Sequence, residues 1–284
     1  MKVLVLGERF PPEALAGLDV VHEPADDVAA ILTTPRAPIG AELIARLPGL
    51  RIVATASVGF DHVDFEAAHA RGIVVRSVPD YCTEEVAAHT LAFLFALLRG
   101  VVALDRAVAA GDWNPRGAGP LRTLGGLRVG IVGLGRIGGA VTRRLHALGA
   151  EVWANDLVEI RRDGVRESSL DELLRGCDAV SLHVPLTPLT RGMIGARELA
   201  LMQPGAFLLN TARGPVVDVD AVVAALRAGR LGGAALDVLP QEPPARPPAA
   251  PNLIVTPHAA YYSEAAEQRA AAAAVAAVRE ALRP

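Results

Sequence analysis

The sequence has little cysteine, no excess of basic charge and no long apolar run. Its two cysteines, Cys82 and Cys177, are too few for a disulfide framework or a structural zinc site, and they predict a reducing, cytoplasmic location. The net charge of -3 argues against binding to nucleic-acid backbones or to anionic lipid. The longest apolar run, residues 91–98, is far shorter than the roughly 20 residues that a membrane helix requires. The N-terminal run MKVLVLG lacks the pattern of a signal peptide, so we expect neither a membrane nor a secreted location.

Strand-like runs of Val, Ile and Leu alternate with Ala-, Leu- and Arg-rich segments of helical period, and this pattern predicts an α/β fold with parallel sheets. At 284 residues the chain exceeds the usual size of one compact domain, so we expect two lobes. A helix is predicted to start at Thr83, and another over residues 263–282 with Ser263 as its cap. The predicted strands are 2–6, 20–22, 28–33, 51–55 and 73–75 in the first lobe, and 128–132, 151–154, 179–183, 207–210, 233–236 and 253–255 in the second.

A glycine-rich turn between the strand at 128–132 and the next helix has the spacing of a dinucleotide-binding loop. Gly133 permits the tight turn, Gly135 allows a pyrophosphate to approach the backbone, and Gly138 allows the helix to pack closely on the strand. The free N–H groups at the helix start favour the negative charge of a pyrophosphate. We therefore assign the whole loop to cofactor binding, including its intervening positions Leu134, Arg136 and Ile137. A purely structural βαβ turn is the alternative.

An acidic residue follows the next strand at the distance expected for a ribose-binding carboxylate. Asp156 lies 23 positions after Gly133, and its charge would repel the additional phosphate of NADP. The sequence therefore predicts NAD as the cofactor. Two arginines that follow closely, Arg161 and Arg162, keep NADP open as the alternative.

Four further segments resemble the D-isomer-specific 2-hydroxyacid dehydrogenase family. They are SVGFDHVD from Ser57 to Asp64, NTARGPVVD around Arg213, ALDVLPQEP with Asp237 and Glu242, and NLIVTPHAAYYSE around His258. The resemblance extends from about residue 50 to residue 282. Within the family, the segment APNLIVTPHAAYYSE is similar to the branch of the C-terminal-binding-protein corepressors.

The resemblance implies that Arg213, Glu242 and His258 form a catalytic triad, and the chemistry of these residue types agrees. Reduction of a 2-keto acid needs a cation for the carbonyl oxygen and a proton donor. Arginine supplies a permanent planar cation, histidine exchanges a proton near neutral pH, and a neighbouring carboxylate favours the imidazolium. Taken singly, the same residues could be a surface ion-pair arginine, an exposed acid in a turn and a histidine that only follows a proline.

The resemblance also assigns residues that contact the cofactor and the substrate. It implies that the backbone N–H groups of Val58 and Gly59 hold the substrate carboxylate, although the segment could be an ordinary turn. Substrate contacts are further assigned to Arg213 and Tyr261. The remaining cofactor positions are Thr83, Thr190, Thr211, Ala212 and Asp237. Capping or turn roles are the alternatives for Thr83, Thr190 and Asp237.

We therefore predict an enzyme that transfers a hydride between NAD(H) and a D-2-hydroxy acid or its 2-keto acid. The family resemblance implies a homodimer, a flavodoxin-like substrate domain of residues 1–98 and 261–284, and a doubly wound Rossmann-type NAD-binding domain of residues 99–260. The stretch GDWNPRGAGP, within residues 101–124, is predicted to connect the lobes. An NAD(H)-sensing binding protein without turnover is the alternative function. The remaining histidines share no metal-ligand spacing, so no metal is expected: His22, His62, His69, His89, His146 and His183.

Overall fold

The structure is a computed structural model that describes residues 1–160 and 162–283. Arg161, one of the two arginines considered for NADP, lies outside the described residues. The chain divides into two compact units, Met1–Cys82 with Tyr262–Pro284, and Thr83–Tyr261. Each unit contains one parallel sheet, which confirms the predicted α/β fold.

The smaller unit has a five-stranded sheet in the order β2-β1-β3-β4-β5. This is the strand order of flavodoxin-like domains, as predicted. The C-terminal helix packs on the two strands β3 and β4, and its predicted cap is confirmed because the Ser263 side chain accepts a hydrogen bond from the Ala266 N–H. The strands are β1 (Lys2–Val5), β2 (Asp19–Val21), β3 (Val28–Thr33), β4 (Ile52–Thr55) and β5 (Val74–Arg76), and the helices are α1 (Pro12–Leu15), α2 (Ala41–Ala45), α3 (Phe65–Ala70) and α10 (Glu264–Ala281).

The larger unit has a seven-stranded parallel sheet with helices on both faces. Its strands are β6 (Arg128–Val132), β7 (Glu151–Asn155), β8 (Val165–Glu167), β9 (Ala179–Leu182), β10 (Ala206–Asn210), β11 (Leu231–Leu236) and β12 (Leu253–Val255). Its helices are α4 (Thr83–Leu98), α5 (Val101–Ala109), α6 (Arg136–Ala147), α7 (Leu170–Gly176), α8 (Ala196–Leu201) and α9 (Val219–Arg227). The order β12-β11-β10-β9-β6-β7-β8 is the Rossmann order with one additional strand.

The unit boundary differs from the prediction at helix α4. The sequence analysis placed residues 83–98 in the substrate domain, but α4 packs on α6, β10 and β11 of the larger sheet. Its buried side chains Phe93, Leu94 and Leu98 share a core with Val129 and Ile131 of β6. Burial of this apolar face explains why the helix belongs to the larger unit.

The stretch GDWNPRGAGP also lies inside the larger unit, so its prediction as a connection between lobes is wrong. The preceding residues form α5 instead of an irregular link.

Across residues 1–160 and 162–283, no single helix is both long and apolar enough to cross a membrane, although α4 and α5 together, with a 61° bend, reach that length and composition.

The order of the larger sheet determines where a ligand can bind. Strands β6 and β9 are neighbours, but β6 continues to β7 on one side and β9 to β10 on the other. A crevice forms at the carboxyl ends of strands where the order reverses in this way. Because all seven strands are parallel, the residues that follow β6, β7, β10, β11 and β12 lie along the same edge of the sheet.

Candidate active site

The glycine loop between β6 and α6 has the geometry of a pyrophosphate site. Gly133 has φ +92°, and a Cβ there would lie 2.7 Å from the His183 carbonyl oxygen. A Cβ on Gly138 would lie 2.1 Å from the Gly133 oxygen, so both positions require glycine. A Cβ on Gly135 would meet no described atom within 4 Å, which leaves the start of α6 open to a ligand. The backbone therefore fits the phosphates of a dinucleotide.

Asp156 lies directly beside this loop. Its Oδ2 accepts a hydrogen bond of 2.6 Å from the Leu134 N–H, and its Oδ1 accepts one of 3.3 Å from Val158. These bonds fix a carboxylate at one end of a cleft of about 160 Å³. Arg162 lines the same cleft, and its guanidinium lies so close to Gly139 that a Cβ there would be 2.6 Å from it. The cleft therefore has room and a polar anchor for the adenosine ribose.

Arg213 follows β10 in a loop with a rigid backbone. The Asn210 side chain accepts a hydrogen bond from the Ala212 N–H at 3.0 Å and donates one to the Arg213 carbonyl oxygen at 2.9 Å. The next residue, Gly214, approaches the loop after β11 so closely that a Cβ would lie 2.0 Å from the Leu239 carbonyl carbon. The backbone that carries the guanidinium is therefore fixed from both sides.

His258 and Glu242 form a direct pair. Their Nδ1 and Oε2 atoms are 2.7 Å apart, and the Leu239 N–H donates to Glu242 Oε1 at 2.8 Å. Burial raises the pKa of Glu242, but the hydrogen bonds from His258 and Leu239 and the charges of His258 and Arg213 outweigh this effect, so the net pKa is lowered. The carboxylate is therefore ionised at neutral pH, and it accepts the Nδ1 proton of the imidazole.

Asp237 is buried, with 1% of its surface exposed, and its carboxylate binds the loop that follows His258. Oδ1 accepts the Ala259 N–H at 2.8 Å and Oδ2 accepts the Ala260 N–H at 2.9 Å. The Thr256 hydroxyl donates to the same carboxylate. These contacts support the turn role that was left open for Asp237, and a contact with the cofactor stays a prediction.

Two of the predicted threonines, Thr190 and Thr211, follow strands at the same edge of the sheet. Thr190 donates to the Pro185 oxygen at 2.6 Å and accepts the Thr187 N–H at 2.9 Å, which closes the loop after β9. Thr211 lies 3.0 Å from the Thr90 hydroxyl of α4. Thr83 is the first residue of α4, and Ala212 is half-buried beside Arg213. These contacts support the turn role that was left open for Thr190, while the Thr211 hydroxyl links its loop to α4.

Tyr261, the last residue of the larger unit, lies beside the proposed proton donor. Its ring meets that of His258 edge to face, with centroids 6.0 Å apart. This contact agrees with the assignment of Tyr261 to the substrate side of the site.

In the smaller unit, Val58 and Gly59 lie on a turn after β4 that a buried polar chain supports. The Ser57 hydroxyl donates to the Gly59 carbonyl oxygen at 2.7 Å and lies 2.7 Å from the Thr55 hydroxyl. Among the hydrogen bonds of residues 1–160 and 162–283, none uses the backbone N–H of Val58 or of Gly59. Both donors are therefore available for an anion.

No group of three or more potential metal ligands occurs within the part of the chain that the structure describes. Four of the remaining histidines, His22, His62, His89 and His183, have polar contacts within the fold. His183 Nε2 lies 2.9 Å from the Ser181 hydroxyl, and burial lowers the His183 pKa to about 4. His22 Nδ1 lies 3.4 Å from the Val5 carbonyl oxygen.

The larger unit combines a Rossmann-order sheet and an open glycine loop with the fixed carboxylate of Asp156 and a histidine–glutamate pair near an arginine. These are the features of a nicotinamide-dependent oxidoreductase. The family model described as D-isomer specific 2-hydroxyacid dehydrogenase, NAD binding domain, matches residues 91–260. The chain therefore belongs to the D-isomer-specific 2-hydroxyacid dehydrogenase family. It is an NAD-dependent enzyme that transfers a hydride between NAD(H) and a D-2-hydroxy acid or its 2-keto acid.

Individual relatives agree with this family. The chain is 40% identical over 246 residues to a glycerate dehydrogenase of Methylorubrum extorquens, which covers 83% of this chain and 77% of that protein. It is 41% identical over 268 residues to a glyoxylate reductase of Korarchaeum cryptofilum, with 89% and 79% covered. The crystal structure of D-lactate dehydrogenase from Aquifex aeolicus, complexed with NAD and lactic acid, superimposes with a TM-score of 0.89 at 31% identity over 98% of this chain and 94% of that chain.

Proposed function

We propose that the chain reduces glyoxylate, or hydroxypyruvate as the keto acid that corresponds to glycerate, with NADH. The names of the relatives support these two small 2-keto acids as substrates. The observation that carries the catalytic assignment is the 2.7 Å contact between His258 Nδ1 and Glu242 Oε2, with the Arg213 charge close enough to lower the pKa of Glu242.

The three side chains divide the work of keto-acid reduction in this proposal. NADH, when bound, supplies the hydride that attacks C2 of the substrate. Arg213 polarises the carbonyl oxygen and stabilises the negative charge that develops on it. Because Nδ1 of His258 is engaged by Glu242, the proton for that oxygen comes from Nε2. The neutral imidazole that remains regains its proton from water, and the ionised Glu242 stabilises the new imidazolium.

The remaining assignments divide between cofactor and substrate. We place the pyrophosphate on the amides at the start of α6 and the adenosine ribose on Asp156, because that loop and cleft are open and polar. The N–H groups of Val58 and Gly59 are suited to a carboxylate, since successive backbone donors can form an anion site without a charged side chain. Tyr261 is assigned to the substrate because its ring contacts His258.

Turnover by the purified protein is the first test. We expect loss of NADH absorbance with glyoxylate and with hydroxypyruvate, and slower loss with keto acids that have a large side chain. The reverse assay pairs NAD with D-glycerate and with L-glycerate. Activity with the L-isomer alone, or no oxidation of NADH with any small 2-keto acid, would contradict the proposal.

Asp156 should select NAD over NADP, because its fixed carboxylate opposes a phosphate on the ribose. Asp156→Ala is expected to reduce the ratio of kcat/KM for NADH to that for NADPH by about tenfold or more, equivalent to at least roughly 1.4 kcal/mol. Asp163→Ala removes a nearby exposed carboxylate and serves as the charge control. An unchanged ratio in Asp156→Ala would show that another residue determines the preference.

We propose a homodimer that forms through the larger unit. Helix α5 and the loop after it expose apolar side chains, including Val101, Val108 and the 86% exposed Trp113, and an exposed apolar surface of this kind is typical of an interface. Light scattering should give twice the 29.6 kDa mass of the chain. A monomer mass at assay concentration would exclude the dimer.

Fewer observations support a cytoplasmic location and a corepressor-like role than support the enzyme activity. Cys82 and Cys177 are both buried and form no disulfide bond, as expected in a reducing compartment, and cell fractionation tests the location. The corepressor branch depends on the resemblance of the segment APNLIVTPHAAYYSE alone. The relatives reported above have the names of enzymes, which favours turnover over NAD(H) sensing.

A further inference from the structure

The backbone of His258 has a conformation that needs an external cause. Its φ of +54° lies in the left-handed region, which costs of order 1–3 kcal/mol for a residue with a side chain. The His258 N–H donates to the Asp237 carbonyl oxygen at 2.8 Å, and the next two N–H groups donate to the Asp237 carboxylate. Asp237 therefore binds three consecutive amides and imposes the turn that directs the imidazole towards Glu242.

A second chain of hydrogen bonds holds the carboxylate itself. The Thr256 hydroxyl contacts Asp237 Oδ1, and a carboxylate among backbone N–H donors only accepts, so the hydroxyl is the donor. His89 Nε2 on α4 lies 3.3 Å from the same hydroxyl and 3.8 Å from Oδ1. Because the hydroxyl proton is already used, His89 must donate from Nε2–H to the hydroxyl oxygen. Donors and acceptors are therefore ordered from His89 through Thr256 to Asp237.

The ring of His89 packs against its own helix. Its ring meets Phe93, one turn further along α4, edge to face with centroids 4.5 Å apart. The side chain is three-quarters buried in the unit. A chain of hydrogen bonds in such surroundings is stronger than separate bonds in water, because each bond polarises the next.

We propose that His89 is a positioning residue for the reduction, acting through Thr256 and Asp237 to hold His258 against Glu242. The inference rests on the proposed roles of His258 and Glu242. It assigns His89 no contact with substrate or cofactor. Loss of the Nε2 donor frees the Thr256 hydroxyl to rotate, loosens the Asp237 carboxylate, and allows the His258 turn to relax.

The test compares pH profiles of kcat with glyoxylate for the wild type and six variants. Glu242→Gln should move the alkaline limb to lower pH, because the neutral amide favours the imidazolium less than a carboxylate does. His89→Leu should move the limb in the same direction and lower kcat about tenfold, while KM for NADH stays within about twofold of the wild type. His89→Gln should restore most of the activity, since its amide N–H₂ can replace the Nε2 donor.

The double variant His89→Leu with Glu242→Gln distinguishes positioning from general stability. If His89 acts through the His258–Glu242 pair, the two losses are coupled and the double variant loses less than the product of the single fold-changes. Thr256→Val, which removes the middle hydroxyl at nearly constant volume, should reproduce the His89→Leu profile and replaces that variant if His89→Leu does not fold. His146→Leu, a histidine near the end of α6 whose buried Nε2 has no described partner, controls for the loss of a ring from this unit.

Each outcome bears on one proposal. A shifted limb in Glu242→Gln, with an unshifted limb in both His89→Leu and Thr256→Val, overturns the positioning role alone. A loss in the double variant that equals the product of the two single fold-changes also overturns the positioning role alone. An unshifted limb in Glu242→Gln overturns the proposed pair, and the inference about His89 falls with it.

Discussion

Replacement of His258 by alanine should lower kcat for keto-acid reduction by roughly 10²–10⁴-fold, the range typical of a lost general acid. The imidazole has one nitrogen bound to Glu242 at 2.7 Å, and our proposal assigns the other to the substrate oxygen. Arg213 and the cofactor remain in the variant, so binding of NADH should persist. Stopped-flow single turnovers measure the chemical step, and quenching of protein fluorescence by NADH measures binding.

A second variant separates the chemistry from the backbone. Because His258 has φ +54°, alanine there is strained and could disturb the turn. Asparagine tolerates the left-handed region better than most residues, but it has no proton to transfer near neutral pH. His258→Asn should therefore unfold at a temperature near that of the wild type and be as inactive as His258→Ala. Undiminished turnover in either folded variant would remove the proposed mechanism.

The sequence was most informative where a function requires a fixed spacing. The glycines and Asp156 belong to one regular βαβ unit between residues 128 and 156, so local patterns place the glycine turn after β6 and Asp156 directly after β7. The strands at 28–33, 128–132 and 253–255 have the predicted bounds because they are short, almost wholly apolar runs with clear turns at their ends.

The sequence was less informative where tertiary packing determines whether a strand forms or which unit contains a helix. Strand β8 was not predicted, because its three residues VRE have no apolar pattern and form a strand only by pairing with β7. The unit that contains α4 was mispredicted, since a helix that is apolar on all sides does not reveal which sheet covers it. His89 was grouped with the histidines that share no metal-ligand spacing, and only the contact with Thr256, 167 positions away, supports the role that we propose for it.

Arg213→Ala should reduce kcat/KM for the keto acid by at least about 10²–10³-fold, the loss typical when one donor to a developing oxyanion is removed. Part of this loss should be a raised KM for the keto acid, because the proposed contact with the substrate exists before the transition state. KM for NADH should change little, since the glycine loop and the Asp156 cleft do not contain Arg213. A loss confined to KM for NADH would contradict the assignment.

The pH profile gives Arg213→Ala a second signature. Burial raises the pKa of Glu242, and the Arg213 charge is one of the effects that lower it, so removal of that charge should raise the Glu242 pKa. A carboxyl group with a higher pKa is protonated at a higher pH, and the acid limb of the reduction should therefore move to higher pH. Arg213→Lys keeps the charge but loses the planar fork of donors. Arg213→Lys should therefore keep the acid limb of the wild type and recover only part of kcat/KM. If the acid limb of Arg213→Lys moves as far as that of Arg213→Ala, the charge of Arg213 is not what couples it to Glu242.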